Sequence, residues 1–60
     1  MTKEEKIKAV YELENRWNNG EYLYLIAEAL SKILGREVTP DELDGPREDF
    51  SDFIEEIGKS

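Results

Sequence analysis

Cysteine and histidine are both absent from this 60-residue chain. Without cysteine there is no disulfide and no thiol nucleophile. Without histidine there is no imidazole base, and zinc sites built from either residue are excluded. The lack of cysteine suits a reducing compartment, so the expected location is the cytoplasm. Long apolar runs are missing too, so no membrane span and no secretory leader are expected. No stretch alternates with period two for long enough to predict a strand. Repeats and low-complexity segments are also lacking.

Basic residues are scarce in one place. Residues 37–60 carry nine carboxylates against Arg47 and Lys59, whereas residues 1–36 carry six acidic and six basic side chains. The whole net charge of −7 therefore lies in the last third. Such a field repels nucleic acid and anionic membrane and attracts basic partners.

The apolar residues that are present are strongly periodic. Tyr22, Leu25, Ile26, Ala29, Leu30 and Ile33 recur at helical spacing, with Leu23, Ala27 and Leu34 widening the arc. This predicts a central helix over Tyr22–Leu34 that needs cover from two sides. Thr2 and Glu5 form a capping box ahead of a first helix reaching Asn18, with Ile7, Val10, Leu13 and Trp17 on its apolar face. Asn18-Asn19-Gly20 ends that helix, and an Asn is expected to cap the next one. So short a link makes the two helices antiparallel. Glu12–Arg16 and Glu28–Lys32 are expected surface ion pairs. Gly35 is the expected stop of the second helix.

Thr39-Pro40-Asp41-Glu42 reads as a second capping box with Pro at the first helical position. Gly45-Pro46 follows closely, which limits that element to one turn around Pro40–Asp44. A last helix is predicted from Pro46 to Ile57, with Phe50, Phe53, Ile54 and Ile57 inward and Gly58 as its end. The fold expected is all-α: a single domain over residues 1–60, a small three-helix bundle with a short extra helical turn before the last helix. Its core should be Ile7, Val10, Leu13, Trp17, Leu25, Ile26, Ala29, Leu30, Ile33, Val38, Leu43, Phe50, Phe53, Ile54 and Ile57.

Several chemistries can be weighed on this pattern. An EF-hand loop with Gly45 at its sixth position would place Pro40 at the first and Ser51 at the twelfth, so two essential ligands fail. The carboxylates of the last helix lie on its polar side, in water, where general acid–base roles find no raised pKa. Ile26-Ala27-Glu28-Ala29-Leu30 followed by Gly35 resembles the first helix of a helix-turn-helix domain. The segment that would enter the DNA groove is acidic, however, so the resemblance implies fold kinship without DNA binding. Leu34 to Asp41 also resembles the loop after the first helix of acyl carrier proteins. That family attaches its prosthetic group to a Ser preceded by Asp, whereas Ser51 follows Phe50.

No enzyme activity, cofactor or metal is expected. The expectation is a monomeric, non-enzymatic acidic domain that binds a basic protein surface, as a small bacterial or phage regulator or inhibitor does. Its contact residues would be Glu48, Asp49, Asp52, Glu55 and Glu56 on the last helix, with Tyr11 and Tyr24 as exposed aromatics. The alternatives are a DNA mimic that inhibits a nucleic-acid-binding protein, and a structural or engineered mini-domain with no partner.

Overall fold

Thr2 opens the first helix as its capping box predicts. In the computed structural model, which describes residues 1–44 and 49–59, the Thr2 hydroxyl accepts the Glu5 N–H at 3.2 Å. The Glu5 carboxylate accepts the Thr2 N–H at 3.1 Å. The Thr2 backbone N–H, and then its hydroxyl, hold the Glu5 carboxyl below its ordinary pKa. Helix α1 spans Lys3–Asn18, α2 Leu23–Leu34, α3 Pro40–Leu43 and α4 Ser51–Lys59. The described residues contain no strand. The architecture is the small all-α bundle expected from the sequence.

Sixteen helical residues make α1 about 24 Å long, which nearly spans the molecule's longest dimension of 27 Å. Both α2 and α4 pack on α1, and α3 packs on α2. The direction of α4 follows from its contacts with α1. Lys3 Nζ donates to the Gly58 carbonyl at 3.4 Å, so the start of α1 meets the end of α4. At the other end, the Phe50 N–H donates to Glu14 Oε2 at 3.4 Å, and the Phe50 ring lies 5.1 Å from that of Trp17. The two helices are therefore antiparallel.

One apolar cluster holds the elements together. Val10 and Leu13 from α1 meet Ile26, Ala27, Leu30 and Ile33 from α2, with Val38, Leu43, Phe50, Phe53 and Ile57 closing the rest. Ile7, Trp17, Ala29 and Ile54 pack against this cluster while remaining half-buried. Leu25 is likewise half-buried. Cover for α2 comes from α1 on one side and from the Val38–Leu43 segment on another.

That segment is fixed by a side chain the periodicity does not single out. Ser31 Oγ accepts the Val38 N–H at 2.8 Å. Its own proton points to the Ala27 carbonyl at 2.8 Å or the Val38 carbonyl at 3.2 Å. Since Val38 is buried, Ser31→Ala leaves its N–H without this acceptor. A loss of about 1–3 kcal/mol is expected, read as a lower urea midpoint with unchanged helical circular dichroism. A wild-type midpoint would mean that water replaces the hydroxyl at no cost.

Several local expectations are corrected. Arg16 pairs with Glu21 across the turn rather than with Glu12. The Glu28–Lys32 pair is present at 3.8 Å, both ends well exposed. No Asn caps α2; Tyr22 occupies the N-cap without a side-chain bond. Its ring is 70% exposed rather than part of the apolar face. Thr39 makes no side-chain cap bond, so the second capping box is not completed. Pro40 does begin α3. Gly58 does not end the last helix, which continues to Lys59. Phe50 precedes that helix, and its carbonyl accepts the Phe53 and Ile54 N–H groups of the first turn. The expected start near Gly45-Pro46, together with Arg47 and Glu48, lies outside the described residues. Gly35 ends α2 as expected: its φ of 72° is left-handed, and its N–H donates to the Ser31 carbonyl at 2.9 Å. A side chain at this φ would be strained, which is why glycine suits the position.

Candidate functional site

Burying Phe53 and Ile57 turns the opposite side of α4 outward. Asp52, Glu55, Glu56 and Lys59 fall at helical offsets 0, 3, 4 and 7 and share that side. Asp52 and Glu55 are exposed, and Glu56 is half-buried. Asp49 stands just ahead of the helix. Its Oδ1 accepts the Ser51 N–H at 3.1 Å and the Ser51 hydroxyl at 2.8 Å. A carboxylate there also meets the positive end of the helix dipole. Glu55 pairs with Lys59 at 2.9 Å. Glu48 lies outside the described residues.

Glu56 is committed within the fold. Arg36, just past the end of α2, grips it with two parallel bonds, Nε to Oε2 and Nη2 to Oε1, both 2.8 Å. The same guanidinium lies 3.3 Å from Glu42 Oε2 on α3 and donates to the Glu37 carbonyl at 3.1 Å. One arginine thus ties α2, α3 and α4. The Arg36 hydrogen bonds hold the Glu56 carboxyl below its ordinary range, while Glu56 and then Glu42 push the guanidinium further up. The cluster is well solvated, so it supplies geometry more than stability. Nothing in local sequence spacing points to it, because its members are 6 and 20 residues apart from Arg36.

The two aromatic candidates sit elsewhere. Tyr11 is on α1 and Tyr24 on α2, at 58% and 59% exposure. Tyr24 stacks on Tyr22, ring centres 5.8 Å apart and planes 25° from parallel. Tyr22 is thus a third exposed aromatic, hidden from sequence reasoning because its spacing matches the apolar face. Stacking holds both rings in one orientation and presents an amphipathic surface at the start of α2.

Beside that pair is an open groove of about 520 Å³ at the α1–α2 turn, lined by Arg16, Asn19, Gly20, Glu21, Tyr22 and Leu25. A smaller one of about 280 Å³ lies between α1 and α2, lined in part by Ala9, Leu13, Ala29 and Ile33. The charged groups at the first groove, Arg16 and Glu21, are paired with each other. Among the described residues no group of three or more acidic side chains is placed to hold a metal ion. No helix among them is long and apolar enough to cross a membrane. Comparison with protein-family models, curated proteins and solved structures found no match.

Proposed function

We propose that this chain is a non-enzymatic protein-binding domain whose acidic C-terminal third docks on a basic protein surface, as a small regulator or inhibitor does. The observation that carries this reading is the segregation of charge. The net charge of −7 lies entirely within residues 37–60. Glu37, Asp41, Asp44, Asp52 and Glu55 are all exposed there. Like charges at helical spacing repel one another, and a fold alone would be served as well by mixed signs. Concentrated exposed charge of one sign raises the encounter rate with an opposite surface.

Which carboxylates carry binding differs from which carry structure. Asp49 and Glu56 hold bonds inside the fold, so neutralising them would mix the two effects. Combining Glu37→Gln, Asp41→Asn and Glu55→Gln removes three exposed charges, keeps the Arg36–Glu56 pair and gives up only the solvated Glu55–Lys59 contact. This variant should fold with a melting temperature within a few degrees of wild type. Immobilised wild-type chain should retain a basic protein at low salt and release it at high salt, and the variant should retain much less. Retention equal for both forms contradicts the proposal. Competition by duplex DNA for the retained protein would favour a DNA mimic.

A further inference from the structure

Asn19-Gly20 is the one asparagine–glycine pair in the chain, and it lies in the open groove at the α1–α2 turn. An asparagine followed by glycine is chemically labile. The Gly20 backbone nitrogen, after losing its proton to hydroxide, attacks the Asn19 side-chain carbonyl carbon. The bond from that carbon to the amide nitrogen breaks, ammonia leaves, and a five-membered succinimide ring forms. Water then opens the ring at either carbonyl, giving aspartate or isoaspartate. The overall change consumes one water and releases one ammonia, with no oxidant or reductant. Glycine favours the first step because no Cβ crowds the attacking nitrogen and its backbone turns freely.

The native turn opposes that step. Ring closure needs the Gly20 nitrogen swung to the side of the Asn19 Cβ. Asn19 instead has φ −85° and ψ 5°, which turns that nitrogen well away from its side chain. The Gly20 N–H also donates to the Trp17 carbonyl at 3.1 Å, and the Asn19 N–H is shared between the Asn15 and Arg16 carbonyls at 3.1 Å. Glu21 N–H is tied to the Arg16 carbonyl at 3.2 Å. Rotation about ψ of Asn19 therefore requires the end of α1 to open.

We propose that Asn19 is a latent deamidation site that the folded turn holds closed, so that its conversion records opening of the α1 terminus. Conversion is not neutral for the fold. It places a carboxylate at the negative end of the α1 dipole, in the groove that also holds Glu21. Isoaspartate lengthens the backbone by one carbon, so the bonds made by Asn19 and Gly20 cannot all re-form. Converted chains open more readily than unconverted ones. Asn15 and Asn18 are internal references: both lie within α1 and neither precedes a glycine.

The test is to incubate the full chain at mildly alkaline pH, folded and in denaturing urea, and to map products by peptide mass and enzymatic isoaspartate labelling. In urea, Asn19 should convert ahead of Asn15 and Asn18. In the folded chain its conversion should be slower by about tenfold or more, the protection expected of a turn that must open first. Purified converted protein should show a lower urea midpoint than unconverted protein, and Asn19→Gln should be free of the product. Equal folded and denatured rates at Asn19 would overturn the proposal, as would Asn15 or Asn18 matching it in urea.

Discussion

Leu30→Ala is expected to remove about 2–5 kcal/mol of stability. Leu30 is completely buried, and it lies in the middle of the α2 face that meets α1 and the Val38–Leu43 segment. Deleting its side chain loses the burial of its methyl groups and leaves a cavity that two ordered neighbours cannot both collapse into. A 60-residue domain buries only about 60% of its unfolded surface, so its total stability is small. The substitution should leave much of the population unfolded at ambient temperature. Thermal and urea unfolding followed by far-ultraviolet circular dichroism measure this. A melting temperature near wild type would mean that α2 is not the central element of the core.

Phe50→Ala should cost about 3–5 kcal/mol, comparable to any single core truncation. Phe50 is fully buried although it lies outside a helix. Its ring joins two contacts, the tilted one with Trp17 at 5.1 Å and the edge-on one with Phe53 at 5.6 Å, beside the backbone carbonyl that starts α4 and that alanine would keep. Its removal therefore loosens the docking of α4 on α1 and exposes Trp17 together. Trp17 fluorescence should shift toward longer wavelength, with a lower urea midpoint by both fluorescence and circular dichroism. An unchanged emission maximum with a wild-type midpoint would contradict the role given to this ring pair.

Local signals in the sequence translated well into structure where one segment contained its own explanation. Thr2 and Glu5 cap each other within one turn, and Gly35 ends α2 through its own backbone. Helical spacing placed Leu30, Phe53 and Ile57 inward because burial follows periodicity. Spacing misled at Tyr22, which matches the apolar face in number but precedes the helix, so its ring escapes the core. Thr39 and Glu42 have capping-box spacing, yet Thr39 makes no side-chain cap. Arg36 instead lies against the Glu42 carboxylate. Gly58 sits within α4 rather than ending it, since glycine weakens a helix without forbidding it. The Ser31–Val38 clamp and the Arg36 cluster depend on how separate elements meet, which no single-segment pattern encodes. The same reason ties Asp49 and Glu56 into bonds within the fold. Tyr11 stands on α1, whereas Tyr22 and Tyr24 stack at the start of α2.

The most direct test of the functional account is the association rate of the chain with a captured basic partner, measured across a range of salt concentrations. Wild type should associate fastest at low salt and slow steeply as salt rises. The Glu37→Gln, Asp41→Asn, Glu55→Gln variant should associate several-fold more slowly at low salt, with a flatter salt dependence, while Tyr11→Ala and Tyr24→Ala keep the wild-type slope. If the charge variant behaves as wild type and either tyrosine substitution abolishes association, binding belongs to the α1 and α2 surface and the acidic third serves solubility alone.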